Sequence, residues 1–456
     1  MVEIKEITET STDEEVASGA HSHIAGLGLD ENLKAKPVGD GLVGQEEARE
    51  AAGIIVEMVK EGRRAGHGLL LVGPPGTGKT AIAYGMAKEL GEDVPFVSIS
   101  GSEIYGTNLS KTEFLQQAIR RAIGVEITET REVIEGKVES LEIERTKHPL
   151  SPYMEMPSGA ILEVSTQDDR RKFKVPEEIA VQLVQAGVRE GDVIQIDLES
   201  GRVTKLGRAE EELEKEEEEI LGVRAVEVPE GPVQKKKEIR RVVTLHDLDM
   251  ANVRAGRLLG FREEEITDEI REKVDEQVQK MVDEGEANLV PGVLFIDEAH
   301  MLDIEAFAFL NRSLEEEIAP ILVMATNRAM AKVRGTDEEA PHGIPGDLLD
   351  RLLIARTRPF KREEIREIIG IRARVQDIEL TDEAHEYLTD LGEEKSLRYA
   401  TRLLEPARIV AEKEGDDVVD KKHVERVEEV FTDVSDSVEY MEKMRRELPT
   451  MKYLTG

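Results

Sequence analysis

The chain has 456 residues, 39% of them hydrophobic and 35% charged, enough for about three domains with cores of their own and too apolar for a disordered polymer. With 61 basic against 97 acidic side chains the formal charge is −36, which opposes generic attraction to a polyanion and leaves only local nucleic-acid contacts. Cysteine is absent, which excludes disulfides, thiolate metal ligands and cysteine nucleophiles, and no apolar run approaches the roughly 20 residues that span a bilayer.

The start MVEIKEITET lacks a basic stretch followed by an apolar one, so a cytoplasmic protein with no membrane partner is expected. Residues 1 to about 40 are polar and mixed, and the nine histidines show no zinc spacing, His21-x-His23 alone being a poor ligand set. GLVGQEEAREAAGIIVEMVKEG then predicts a loop and a helix with Ala51, Ile55, Met58 and Val59 on its apolar face. In GLLLVGPPGTGKTAIAYGMAKEL, Leu69 to Val72 read as a buried strand, the glycines as a tight loop and Ala81 onward as a helix. VPFVSIS, Val94 to Ser100, is a second strand, and Lys111 to Ile123 a helix.

From Val125 to about Gly207 the pattern is mostly period two, a β-rich unit, and the acidic run Glu210 to Glu219 that follows reads as a solvated linker or helix face. Helices resume beyond Val242, and Thr267 caps one carrying Ile270, Val274, Val278 and Met281 that ends near Gly285. GVLFIDEAH and APILVMATN, residues 292–300 and 319–327, read as buried parallel strands joined by a short helix. Lys361 to about Phe431 is helical, with Thr381-Asp382 and Ser396 as caps and Gly392 as a break. There is no internal repeat of 20 to 50 residues.

The chemistry concentrates at strand ends. The spacing G-x-x-x-x-G-K-[ST] is met by Gly73, Gly78, Lys79 and Thr80, so the loop Gly73, Pro74, Pro75, Gly76, Thr77, Gly78 directs backbone N–H groups at phosphate oxygens. Lys79 then reaches the β/γ-phosphates and the Thr80 hydroxyl holds Mg²⁺. The acidic partner this requires is Asp297, on Mg²⁺, with Glu298 orienting the attacking water. Lys79 and Asp297 lie 218 positions apart, far more than one strand-helix-strand step, so a segment has been inserted between them. Asn327 ends the next strand at the same sheet edge and is placed to position the water or sense the γ-phosphate. Arg351 in GDLLDRLL and Arg398 in SLRYA each suit either transition-state charge or a surface ion pair.

These blocks, with HSHIAGLGLD, SEIYGTNLSKTEFLQQAIRRAIG, VTLHDLDMANVRAG and HGIPGDLLDRLLI, resemble those of the RuvB-like AAA+ ATPases, pontin and reptin, over nearly the whole chain, as in an archaeal member. The resemblance implies an α/β protein: a RecA-like P-loop AAA+ core in residues 1–123 and 286–360, an insertion domain with an OB-fold in 124–285, and a helical lid and tail in 361–456. It implies hexameric rings, single or double, that bind ATP or ADP with Mg²⁺. By that pattern Arg351 resembles the arginine finger acting on a neighbour's nucleotide, Arg398 the lid arginine and Asn327 sensor 1. His21, His23 and the loop Gly41, Leu42, Val43, Gly44, Gln45 resemble the adenine-side wall, joined by Phe360 and Ile368. The implied partners are client protein or ribonucleoprotein complexes, with helicase action on DNA as a reported family activity.

Three functions follow from the residues and the resemblance together: a ring ATPase doing conformational work, a nucleotide-gated scaffold with little turnover, and a nucleic-acid motor. The third would grip DNA or RNA through Arg170, Arg171, Lys172 and Lys174 or through Lys235, Lys236 and Lys237, with Tyr153 and Phe173 as nearby aromatics. The letters DEAH do not indicate a superfamily-two helicase, because the region after Asn327 is too short and too helical for a second RecA-like domain.

Overall fold

Five short strands make a wholly parallel sheet: Gly68–Val72 (β1), Phe96–Ser100 (β2), Val293–Asp297 (β3), Ile321–Thr326 (β4) and Leu352–Arg356 (β5), in the order β5-β1-β4-β3-β2. Leu69 stands opposite Val323 and Leu353, and Phe295 opposite Val323 and Ser98. β1, β3 and β4 are covered on both faces, which is why they read as continuous apolar runs rather than alternations, whereas the edge strand β5 exposes Leu353 and Ile354. This computed structural model describes residues 23–62, 68–91, 93–148, 151–198, 201–209, 225–258, 266–316 and 318–447, so His21 and the acidic run Glu210 to Glu219 lie outside the described residues.

The described chain divides into two compact units. One joins the residues up to Val125 with Val242–Val282 and Asn288–Gly456; the other is Glu126–Arg241 with Asp283–Ala287. In the first unit the helix Glu46–Lys60 buries Ala48, Ala52, Ile55 and Val56, leaving Ala51, Met58 and Val59 only half-buried. Its inward face is turned from the predicted one because it also packs the preceding segment. A Cβ on Gly53 would stand 2.1 Å from Leu29 Cδ1. Arg49, fully buried, donates to the carbonyls of Leu27, Gly28, Lys36 and Gly44 at 2.7 to 3.0 Å.

The helix Leu245–Leu258, and the helix Asp268–Glu284 as far as Val282, pack in this first unit. The buried Arg120 of helix Lys111–Arg121 accounts for it: its Nε lies 2.5 Å from Asp249 Oδ2 and its Nη1 2.8 Å from Asp275 Oδ1, so a cation on the core finds its counter-charges on both helices. The lid helices of the same unit, Arg362–Val375, Asp382–Glu394, Leu397–Glu414 and Lys421–Val430, close over Ile369, Leu388, Leu404 and Val424. The Thr381 and Ser396 hydroxyls accept from the Ala384 and Tyr399 N–H groups, as caps do. Gly392 does not break a helix. It sits inside one, where a Cβ would come within 2.7 Å of Ile365 Cγ2, so its lack of a side chain serves helix contact.

The second unit, taken by itself, is a mainly antiparallel sheet around residues 126–148 of the long strand Ile123–His148, which pairs with Ser151–Ser165 on one side and Asp192–Asp197 on the other. Arg170–Pro176 and Val203–Ala209 extend it outward, and the helix Glu177–Gln185 covers a core that includes Val138, Leu162, Val164, Leu183, Ile194 and Ile196.

Candidate active site

At the end of β1 the chain turns at once. Gly73 N–H donates to Thr326 O of β4 at 3.1 Å, and a Cβ there would stand 2.1 Å from Thr357 Oγ1, so only glycine fits. Gly76 and Gly78 hold φ of +76° and +81°, which costs glycine little and turns the chain into the helix Lys79–Leu90. The first-turn N–H groups of that helix, with its positive dipole end, therefore open on the space beyond the sheet edge. Thr77 Oγ1 ties the loop together, 2.9 Å from Pro74 O and 2.7 Å from Thr357 Oγ1. Lys79 Nζ donates to Gly73 O at 3.0 Å and Pro74 O at 2.7 Å, which leaves one N–H of the ammonium for a phosphate oxygen. Burial lowers the Lys79 pKa from its ordinary value, against the opposing pull of the Asp297 carboxylate and with help from the Arg398 charge.

Two strands away, β3 delivers Asp297 and then Glu298. Glu298 sits at φ +49°, a left-handed conformation that a side chain rarely adopts and that surrounding contacts must impose. Gly101 N–H donates to Asp297 O at 2.8 Å, a Cβ on Gly101 would press within 2.6 Å of Glu298 O, and Met301 N–H donates to that same oxygen at 2.8 Å. Asp297 Oδ1 accepts the Glu298 N–H at 2.8 Å, which keeps the carboxylate turned toward the strand end.

These groups meet in a cavity of about 590 Å³. His23, Gly41, Leu42, Val43 and Gln45 line one end; Pro75, Gly76, Thr77, Gly78, Lys79 and Thr80 form the floor; Asp297, Glu298 and Asn327 stand across from them; Phe360, Ile368 and Arg398 close it from the lid. Gly44, Gly73 and Pro74 are not part of this lining, and a Cβ on Gly44 would strike Glu364 Oε1 at 2.6 Å. Arg351 is not in the cavity: it is half-exposed and ion-paired with Glu315. Lys79 with Arg398 and the loop amides suits a triphosphate, and the Thr80 hydroxyl with the Asp297 carboxylate is the all-oxygen donor set that a hard ion such as Mg²⁺ prefers.

Eight lining residues were not expected from the sequence: Ile24, Arg49, Ala81, Ile82, Thr326, Arg372, Leu397 and Thr401. Arg372 had a findable signal, since it follows Ile368 by one helical turn and so shares its face. Burial lowers its pKa, and burial together with the Arg372 charge lowers that of His23, which keeps this imidazole neutral; His23 Nδ1 is buried with no hydrogen-bond partner. The Gln45 end of the cavity is also tied to the segment that leads into the lid, because Gln45 Nε2 donates to Arg358 O at 2.6 Å and Arg358 N–H donates to Gln45 Oε1 at 3.0 Å.

Two other clusters carry ligand-type groups. In the lid, Glu414, Asp416 and His423 converge, but Lys422 lies 2.7 Å from Asp416 and Arg426 2.5 Å from Glu414, and His423 Nδ1 accepts the Asp420 N–H, which makes an ion-paired helix cap. In the β-rich unit the basic residues are largely matched by neighbouring acids: Arg170 with Glu163 at 2.8 Å, Arg171 with Asp169 at 2.9 Å, and Lys235 and Lys237 with Glu135 at 3.2 and 3.0 Å. Phe173 packs partly buried against that unit's core, and the Tyr153 side chain lies outside the described residues. Among the described residues no helix is long and apolar enough to cross a membrane.

Comparison with known proteins adds the lineage. Residues 17–363 match the family model described as the TIP49 P-loop domain, and residues 368–433 match the TIP49 AAA-lid domain. The chain is 44% identical to the protein named RuvB-like helicase 1 of Kluyveromyces lactis, over 97% of this chain and 99% of that one. It is equally 44% identical to proteins of that name in Yarrowia lipolytica and Debaryomyces hansenii, covering 96% and 98% of this chain and 98% and 99% of theirs.

Proposed function

Since the chain belongs to the TIP49, or RuvB-like, family of P-loop AAA+ ATPases, we propose that it hydrolyses ATP as a hexameric ring, single or double, and spends the energy on remodelling or assembling protein or nucleoprotein complexes in the cytoplasm. The observation that carries this reading is the convergence of Lys79, Asp297, Glu298, Asn327 and Arg398 on one cavity at the carboxyl edge of the sheet, with Arg351 outside it.

In this reading Lys79 and the loop amides bind the β- and γ-phosphates of ATP, and Arg398 reaches the same phosphates from the lid. Thr80 and Asp297 are the residues that hold Mg²⁺, which when bound neutralises charge on the phosphate oxygens. Glu298 accepts a hydrogen bond from the attacking water and takes its proton, and Asn327 fixes that water or the γ-phosphate from the neighbouring strand. His23, the loop through Gln45, Phe360 and Ile368 enclose the adenine. Arg351, directed outward, serves the site of the adjacent subunit as its finger.

The name helicase, carried by the relatives, makes DNA unwinding a second reading for this chain, with the β-rich unit as an OB-fold grip. Charge pairing of Arg170, Arg171, Lys235 and Lys237 favours complex remodelling over that grip. The deciding experiment measures phosphate release and ring size by light scattering, with and without single- and double-stranded DNA. A basal rate that tracks ring formation and loss of turnover in Glu298→Gln with ATP still bound support the ATPase reading. A rate raised many-fold by DNA, with salt-sensitive binding, supports the motor. Client assembly preserved in Glu298→Gln would instead make the ring a nucleotide-gated scaffold.

A further inference from the structure

Glu298 and Asn327 leave the sheet from adjacent strands, so the reaction needs something to hold the two strand ends in fixed relation. β3 and β4 pair in register from Val293 with Ile321 to Ile296 with Met324, and the ladder stops there. Beyond it the chain forms the short turn Ala299–Met301 on one side and ends at Thr326 on the other. Among the described residues a side-chain hydrogen bond bridges the gap: His300 Nδ1 lies 3.3 Å from Thr326 Oγ1. Thr326 is 1% exposed, and its hydroxyl oxygen also accepts the Arg328 N–H at 3.2 Å, so it is held on both sides of Asn327.

The turn that carries His300 is gripped from outside as well. Met301 O accepts from Tyr105 Oη at 3.2 Å and from Arg334 Nη1 at 3.2 Å, and the Arg334 guanidinium lies 3.9 Å from the centre of the Tyr105 ring. The turn is therefore held by hydrogen bonds on its solvent side, and on its inner side the imidazole makes the reach to β4. Burial, reinforced by the Arg328 charge, lowers the His300 pKa, which keeps a neutral ring with a lone pair or a single N–H to share with the hydroxyl.

We propose that His300 and Thr326 are positioning residues for hydrolysis: their hydrogen bond sets Glu298 and Asn327 at the spacing needed to hold the attacking water between them. This rests on the reading of Glu298 and Asn327 given above. Neither His300 nor Thr326 is asked to touch the reacting atoms.

The test is a double-mutant cycle in the full-length protein, reading kcat, KM and the affinity for ATP. His300→Ala and Thr326→Val should each lower kcat about 10- to 100-fold while ATP affinity stays within about twofold, the loss typical of a positioning group. Because they break one shared bond, the double variant should be no slower than the slower single variant. His300→Asn, whose amide overlaps the Nδ1 position, should recover most of the rate, and His300→Gln should not. Multiplying losses in the double variant, or equal rates for the Asn and Gln variants, would overturn the proposal. Glu298→Gln serves as the arm for the underlying reading: if it still turns over ATP, that assignment fails, whereas an inactive Glu298→Gln beside unaffected His300 and Thr326 variants sinks the positioning claim alone.

Discussion

If Arg351 works on a neighbour's nucleotide, two inactive proteins should restore each other. Arg351 lies outside its own cavity and pairs with Glu315, their side chains 37% and 59% exposed. A pair so open to solvent is worth less than about 1 kcal/mol, so exchanging Glu315 for a neighbour's phosphate meets little resistance. Arg351→Ala should bind ATP normally and turn over at least about 10³-fold more slowly, the range of an arginine finger. Lys79→Ala should lose nucleotide but keep its own finger. In rings mixed at random in equal parts, a working site needs an Arg351→Ala subunit holding ATP beside a Lys79→Ala subunit offering its arginine. With independent sites that is one half times one half, about a quarter of the wild-type rate. The assay is steady-state phosphate release after subunit exchange, with native mass spectrometry reporting mixed rings. Mixed rings that stay as slow as either parent would refute action in trans.

Three further outcomes are expected. Arg372→Leu should weaken ATP and ADP binding about tenfold, as loss of one charge-assisted contact would, and leave kcat at saturating ATP within about twofold, measured by calorimetric titration and turnover. Arg120→Met should destabilise the core unit by about 3–5 kcal/mol because it strands the fully buried Asp249 carboxylate, and adding Asp249→Leu should recover most of that in urea unfolding. Burial already raises the Asp249 pKa, so the stability tied to its protonated form is present at acid pH and lost as pH rises. Removing Arg120 raises the value further, so the Arg120→Met deficit should shrink between pH 8 and pH 5, and a pH-independent deficit would count against the stranded charge. Gly392→Ala should cost the lid about 1–3 kcal/mol through overpacking on Ile365, seen as an earlier protease-sensitive opening of the lid helices.

What could be read from the residues alone is what local chemistry specifies. The loop from Gly73 to Thr80 needs its glycines and lysine at fixed spacing, and a strand buried on both faces announces itself as an unbroken apolar run, so the phosphate cradle and the acids at the end of β3 stand out in isolation. The Thr381 and Ser396 caps were legible for the same reason, since each acts within three residues. The inward face of helix Glu46–Lys60 depends on Arg49 reaching four carbonyls of an earlier segment, and the placement of helices Leu245–Leu258 and Asp268–Glu284 depends on Arg120, more than a hundred residues away. Thr357 carries no motif at all, and Arg372 only its helical spacing from Ile368. Their roles arise only where the fold sets them against Thr77 and His23.

The stretch from Thr357 to Phe360 links the phosphate loop, the Gln45 end of the cavity and the lid. Thr357 bonds Thr77 in the cradle; the Arg358 main chain holds both ends of the Gln45 amide; the Arg358 guanidinium lies 3.1 Å from Glu46 and 2.7 Å from Glu364, on the helices that flank the hinge; and Phe360 lines the cavity beside Gly78. Thr357, Arg358 and Phe360 thus touch the phosphate loop at Thr77 and Gly78 and the far end of the cavity at Gln45. A rotation of the lid about this stretch has to displace Thr77 and Gln45 together, because each is held by hydrogen bonds of 2.6 to 3.0 Å rather than by adjustable apolar contact. Arg398 rides on the lid side of this hinge and Arg351 on the core side. A lid that turned about this stretch would therefore carry Arg398 relative to the phosphate loop and leave Arg351 with the sheet.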